Sequence, residues 1–433
     1  MSFVQANNII KRFPSIFYIF RWIILCGLIG ISVGSASAFF LESLDWARET
    51  REANKWIIWL LPIAGFIVGL MYHFFGKKAE AGNNLLIDTI HKPKETIPFI
   101  MAPLVLFGTI VTHLFGGSAG REGTALQMAG AISDQFSKPF RLRPRDRRIL
   151  IIASISAGFG SVFGTPLAGA IFGLEVFFIG RLRYDAIFPA FLAAIIADIV
   201  TTMWGVGHTQ YIINSIPEID PLNLLLAIGA GIIFGIVAIS FSLTTKNLGT
   251  LYKKIPFAPI RPIVGGTIVA VAVFLLGTTK YIGLGIPTIE ASFSTQLPAY
   301  DFGIKLILTA ITLAAGFKGG EVTPLFFIGA TLGNALSLFI PLPIGLLAGM
   351  GFVAVFAGAT NTPLACSLMA IELFGAECGV YVAVACVVSY LVSGNTSIYG
   401  TQVIGVAKHL SFGRLQGKKI NQVEYLKDKF RSL

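Results

Sequence analysis

The chain has 433 residues, of which 55% are hydrophobic and 13% charged, and its mean hydropathy is +0.77. That balance excludes a soluble globular protein, because apolar runs near or above the roughly 20 residues that cross a bilayer recur along the sequence. The net charge of +11 is bunched into short segments, so it reads as membrane topology rather than as a nucleic-acid surface.

A basic pair, Lys11-Arg12, leads into the first apolar run, 17–40. The run ends near Ser35-Ala36-Ser37-Ala38, which looks like a signal-peptide cleavage site. No soluble mature region follows that would need export, so a retained first membrane helix is expected. Further apolar runs occupy 56–75, 98–115, 149–179, 186–204, 224–242, 263–277 and 380–392. The expected fold is an all-α polytopic membrane protein.

Inside this apolar background lies a polar island, Gly116-Gly117-Ser118-Ala119-Gly120-Arg121-Glu122-Gly123-Thr124. An ionisable pair at membrane depth is costly and marks a functional site by default. The glycines leave backbone N–H groups bare, and the residues from Thr124 onward can start a helix. Such a helix N-terminus attracts anions. A carboxylate placed there can occupy the anion position or leave it, which is the design of a gate.

Beyond the island, Lys138, Arg141, Arg143, Arg145, Arg147 and Arg148 crowd one loop. Lys408, Arg414, Lys418, Lys419, Lys427, Lys429 and Arg431 crowd the tail. Basic segments stay cytoplasmic, so both ends are expected in the cytoplasm, with an even number of crossings. After Val406 the remaining stretch is short, so no appended soluble regulatory domain is expected. The cysteines Cys26, Cys366, Cys378 and Cys386 sit in apolar surroundings without ligand spacing, so they read as packing residues. No metal site or cofactor is implied.

The chain also repeats itself at an offset of about 200 residues. Thr165-Pro166-Leu167-Ala168 through Glu175-Val176-Phe177 matches Thr362-Pro363-Leu364-Ala365 through Glu372-Leu373-Phe374. The island repeats as Gly320-Glu321-Val322-Thr323-Pro324, and Gly82-Asn83-Asn84-Leu85 has a weaker partner in Gly283-Leu284-Gly285-Ile286. Repeats of this kind are typical of transporters, whose sites lie near the midplane where broken helices of the two halves meet. The expected division is a leader at 1–16, repeat halves at 17–210 and 211–406, and a basic tail at 407–433. Arg121 and Glu321 are repeat-related and opposite in sign, so they could pair across the symmetry axis and position the gate. Glu175 and Glu372 end helices in both halves, and a structural role is expected for them.

Gly120-Arg121-Glu122-Gly123, Gly319-Gly320-Glu321-Val322-Thr323-Pro324 and Ile398-Tyr399-Gly400 together resemble the CLC family of anion channels and proton-coupled anion antiporters. The resemblance implies the CLC fold of two inverted repeats, a homodimer in lipid, and a pathway in each subunit. It implies that Glu122 is the gate and proton carrier and that Tyr399 contacts the anion. The departures point to the family's fluoride/proton antiporter branch. Asn83 and Asn84 stand where most members have a serine, Val322 replaces an aromatic, and Thr323 precedes Pro324. Thr124 replaces a proline, and Val176 replaces the inner glutamate of chloride antiporters. The implied substrate site is therefore Asn83, Asn84, Gly123, Val322, Thr323 and Tyr399, with Arg121 and Glu321 assisting. Fluoride is small and strongly hydrated, and amide and hydroxyl donors suit it.

Two other readings stay open on the sequence. Gly116-Gly117-Ser118-Ala119-Gly120 satisfies the GxSxG nucleophile pattern, which needs a histidine base. A passive anion channel, or exchange of chloride in place of fluoride, would retain the same Glu122.

Overall fold

The computed structural model describes residues 14–93 and 96–423. Lys11, Arg12, Lys427, Lys429 and Arg431, the outer members of the two basic ends, lie outside the described residues.

The helices come in two series. The first is α1 Pro14–Ala53, α2 Leu61–Phe75, α3 Asn83–His91, α4 Met101–Leu114, α5 Glu122–Ser133, α6 Pro144–Phe163, α7 Pro166–Glu175 and α8 Ile187–Met203. The second is α9 Pro221–Tyr252, α10 Arg261–Leu276, α11 Ile286–Ser292, α12 Asp301–Ala314, α13 Val322–Leu336, α14 Ile344–Thr360, α15 Pro363–Phe374 and α16 Gly379–Val392. The two series correspond helix for helix, well beyond the three blocks legible as sequence repeats. Among the described residues five helical segments are long and apolar enough to cross a membrane, and α4, α7, α13, α14 and α15 are shorter apolar helices. Side chains such as Trp59, Phe74, Phe75, Phe274, Leu275 and Phe339 are exposed and face outward. In a bilayer that surface costs nothing.

The apolar run 149–179 is not one span. Gly164 takes a left-handed φ of 69°, Thr165 is non-helical, and Pro166 opens α7, so the chain reverses there. Hydropathy could not reveal this, because the residues on both sides of the turn are equally apolar.

The two series run in opposite senses. A short parallel pairing joins β1 (Phe178–Ile179) to β2 (Val403–Ile404). Arg148 donates to the His91 carbonyl at 3.4 Å, and the Lys419 ammonium meets Asp88 at 2.6 Å. The end of α3, the start of α6, the end of α7 and the tail therefore share one face. The loop after α5 is on that face too. α14 ends at Asn361, whose amide donates to Gln402 beside β2, so α14 begins and α13 ends on the opposite face. Thus α5 and α13 leave the middle of the molecule in opposite directions.

Not every basic residue of the 138–148 segment is a solvated loop charge. Arg147 is buried in the first turn of α6 and pairs with Asp134 through Nε–Oδ1 at 2.7 Å and Nη2–Oδ2 at 2.8 Å. Asp134 also accepts from the Ile97 amide at 2.7 Å. A bidentate pair with a further amide donor satisfies both buried charges.

The core between the two series is aromatic. Phe159 stacks on Phe172 at 4.2 Å and Phe326 on Phe352 at 4.0 Å, and Phe356 touches both pairs. Two carboxylates lock the same boundary. Glu175, at the end of α7, accepts from the Leu364 and Ala365 amides at 3.2 and 2.9 Å. Glu372, near the end of α15, accepts from the Leu167 and Ala168 amides at 3.0 and 2.7 Å. Each helix thus caps the first turn of its repeat mate, filling orphan N–H groups with a charge of the favourable sign.

This reciprocity carries a stability prediction. Glu372→Ala should destabilise the purified protein by about 1 kcal/mol, the usual loss of a helix cap, and Glu372→Gln, which keeps an acceptor, by less. Thermal unfolding in detergent measures it; equal melting of all three proteins would contradict the capping role.

Candidate functional site

The breaks before α5 and α13 meet back to back. Gly120 N donates to Gly320 O at 2.6 Å and Gly320 N to Gly120 O at 2.7 Å, a two-bond antiparallel bridge. No side chain fits there. A methyl group on Gly120 would lie 2.8 Å from Glu122 Oε2 and from Pro324 Cδ, and one on Gly320 would lie 2.7 Å from Gly123 N.

Glu122 is completely buried between the N-termini of α5 and α13. Its Oε2 accepts from the Arg121 and Thr323 amides, each at 3.1 Å, and its Oε1 accepts a short hydrogen bond from the Thr323 hydroxyl. The carboxylate of one half therefore sits on the orphan donors of the other half's broken helix. The sequence reading assigned those donors to Glu122's own helix. The structure keeps the Arg121 amide at the head of that helix as one donor, and the back-to-back bridge adds the amide and hydroxyl of Thr323 from α13. Thr323 supplies both an amide and a hydroxyl, and Thr124 takes a different post: its hydroxyl meets Thr109 at 2.6 Å and ties α5 to α4.

Arg121 and Glu321 are not brought together. Arg121 Nε approaches Glu122 Oε1 at 3.9 Å, with no hydrogen bond of its own. Its charge acts on His208 and Tyr211. Glu321 instead lines a cavity of about 170 Å³, together with Asn83, Asn84, Gln127, Lys318 and Tyr399. The two residues leave the bridge on different sides, because the backbone at 120 and 320 is antiparallel and the flanking side chains diverge.

Asn83 and Asn84 open α3 after Gly82, whose φ of 56° needs glycine. They separate cleanly. Asn84 Oδ1 accepts from the Thr401 amide at 3.2 Å and its hydroxyl at 3.0 Å, so Asn84 fastens the segment that carries Tyr399. Asn83 keeps its Oδ1 without a partner, and its Nδ2 lies 3.1 Å from where a Gly123 Cβ would be. Tyr399 is 3% exposed, and its hydroxyl is buried without a partner. An orphaned donor at such depth is a costly feature that an anion would relieve. Val322, at the start of α13, is buried beside Thr323.

Several contributors were not singled out by the sequence. Gln402 Nε2 donates to Val176 O at 2.8 Å and Thr360 O at 2.9 Å, while its Oε1 accepts from Asn361 and Ser397. It joins the ends of α7 and α14 to the Tyr399 segment. Gln127 faces the cavity from inside an apolar helix; a polar residue in that run was the available signal. Lys318, one residue ahead of Gly319-Gly320, offered the same kind of signal.

The hydrolase pattern does not assemble. The Ser118 hydroxyl is engaged with the Tyr281 carbonyl and Thr309, both at 2.9 Å. His113 bonds the Thr109 and Ala119 carbonyls at 2.9 and 3.1 Å, so serine and imidazole do not face each other.

Comparison with known proteins agrees with this geometry. The family described as Voltage gated chloride channel matches residues 64–394. A chloride/fluoride channel protein of Pseudomonas syringae pv. tomato is 55% identical over 399 residues, covering 90% of this chain and 88% of that protein. An H(+)/Cl(-) exchange transporter of Yersinia pseudotuberculosis is 25% identical over 382 residues, 81% of this chain and 80% of its own length. Among solved structures, a CLC-type fluoride/proton antiporter superposes with a TM-score of 0.87 at 34% identity, covering 89% of this chain and 98% of that one. With the inverted series, the paired breaks and these matches together, this chain belongs to the CLC family of membrane ion transporters, under the family heading of voltage gated chloride channels.

Proposed function

We propose that the protein exchanges fluoride for protons across the cell membrane, with Glu122 as gate and proton carrier. The observation that carries this is the Glu122 carboxylate, buried on the Thr323 amide and hydroxyl at the N-terminus of the opposite broken helix. Charged, it holds the donors that an anion needs. Protonated, it loses its hold on the α13 dipole and releases them, so proton and anion use one position in turn. The 55% identical Pseudomonas relative, named for chloride and fluoride, and the fluoride/proton antiporter structure support the reading.

Fluoride is the expected ion because the surrounding donors are hard and close. Thr323, Asn83 and Tyr399 offer O–H and N–H groups that can replace part of a tight hydration shell. Gly123 leaves the approach open, Val322 lines it, and Asn84 holds the Tyr399 segment. Glu321 assists from the cavity side and Arg121 from the other. The chain works as a homodimer in lipid, with Leu167, Leu364 and Ile371 on the outer faces of α7 and α15 as exposed apolar contacts. Residues 17–210 and 211–406 act as its two halves, and both termini lie in the cytoplasm.

The printed name of the Pseudomonas relative includes the word channel, so passive conduction is the second reading. Proton movement separates the two. In liposomes loaded with fluoride or chloride, fluoride efflux should exceed chloride efflux by at least about tenfold, a discrimination of about 1.4 kcal/mol. It should also draw protons inward against a pH gradient. Equal rates for the two anions, or fluoride flux without proton uptake, would overturn exchange.

Glu122→Gln keeps the shape and cannot titrate. Proton uptake driven by an outward fluoride gradient should vanish, whether the remaining fluoride flux stops or becomes passive; uptake at the wild-type rate would remove Glu122 from the mechanism. Val176 is buried and offers no ionisable group, and its carbonyl is held by Gln402. Val176→Ala should therefore leave the proton-to-fluoride ratio unchanged, as measured by simultaneous pH and fluoride electrodes.

A further inference from the structure

Two cavities on the tail side share Tyr72, Glu80 and Lys318 in their walls. The inner one holds Asn83, Glu321 and Tyr399. The outer one, of about 300 Å³, is lined by His73, Lys77 and Arg261 as well, with Glu80 as its acidic residue. It opens on the tail side. Tyr381, near the start of α16, bonds the Glu218 carbonyl just before α9, and Lys408 of the tail bonds the Tyr390 carbonyl near the end of α16. α9 therefore ends, and α10 with Arg261 begins, on the tail side.

Lys318 stands at the junction. Its ammonium lies 3.8 Å from the centre of the Tyr72 ring, and among the described residues no carboxylate forms an ion pair with it. Its stem is held by α4: a methyl group on Gly108 would lie 2.8 Å from Lys318 Cγ and 3.0 Å from its Cβ. A fixed cation with no carboxylate in ion-pair contact, on which Glu80 in the same walls acts only from a longer range, half-buried between a basic mouth and the donors around Tyr399, is a station for an anion. An ammonium is compact and strongly hydrated, which matches a compact and strongly hydrated anion.

We propose that Lys318, backed by the Tyr72 ring, is a binding site for the transported anion on the tail side, reached before Asn83 and Tyr399. The assignment of that anion as fluoride rests on the exchange reading above. Lys318→Met should raise the fluoride concentration that half-saturates efflux by about tenfold, the loss of one nearby charge under solvent screening. The maximal rate and the proton-to-fluoride ratio should be retained. Lys318→Arg keeps the charge and should stay near wild type, and Gly108→Ala, which crowds the stem, should shift half-saturation in the same direction as Lys318→Met. Unchanged half-saturation in Lys318→Met, or an altered proton ratio alone, would overturn the site. Should Lys318→Met not fold, Gly108→Ala and Lys318→Gln decide by the same readout. If the wild type moves no fluoride, the exchange reading fails by itself. The site is then judged by broadening of the fluoride and chloride NMR lines on the purified protein. Broadening lost in Lys318→Met keeps the site, and equal broadening ends it.

Discussion

Two backbone hydrogen bonds between Gly120 and Gly320 set the geometry on which the rest of the site depends. They hold the N-termini of two broken helices close together, with the helices leaving in opposite directions. Bonds of this kind contribute only about 0.5–1.5 kcal/mol each, so they do not hold the halves together by strength. They act by position. Only residues without side chains allow the two strands this near, and only at this distance can the Glu122 carboxylate reach the amide and hydroxyl of Thr323. The stabilisation comes from burial around them, above all from the aromatic stack that joins Phe159, Phe172, Phe326, Phe352 and Phe356.

The same device recurs three times across the boundary between the two series. Glu175 caps α15, Glu372 caps α7, and Glu122 caps α13, each a carboxylate from one half on the first-turn amides of a helix in the other. A buried carboxylate is costly unless its oxygens are satisfied, and a helix N-terminus supplies both donors and favourable charge. The first two caps are reciprocal. The third is not, because the residue related to Glu122 by the repeat is Val322. Glu122 therefore occupies a helix N-terminus in a way that no symmetry mate balances. In the proposed exchange, that asymmetry is what would separate a gate from a clamp.

The divergence of Arg121 and Glu321 follows from the bridge as well. An ion pair between them would have neutralised both and left the centre inert. Instead Arg121 stays on the side of His208 and Tyr211, and Glu321 joins the cavity with Tyr399 and Lys318. Charges of opposite sign are thus kept apart rather than cancelled, and the low dielectric of the surroundings makes each of them effective over a longer range.

The sequence by itself determined the class and the cast. Long apolar runs demand lipid, and Gly-Arg-Glu-Gly, the repeat at an offset of about 200, and Tyr399 in its Ile-Tyr-Gly setting were enough to single out the breaks and their resemblance to one family. These are local or periodic signals, carried by composition and spacing. Tertiary structure decided who faces whom. Asn83 and Asn84 are chemically alike and adjacent in sequence, yet a helical step of about 100° turns one toward Gly123 and commits the other to Thr401. Arg121 and Glu321 looked like partners because the repeat pairs them, but an antiparallel crossing points repeat-related side chains apart. The turn at Gly164 was hidden within continuous apolarity, and Gln402, Gln127 and Lys318 acquire their places only from residues far away in the chain. Contacts between distant segments depend on the relative placement of whole helices, and no single-sequence pattern encodes that placement.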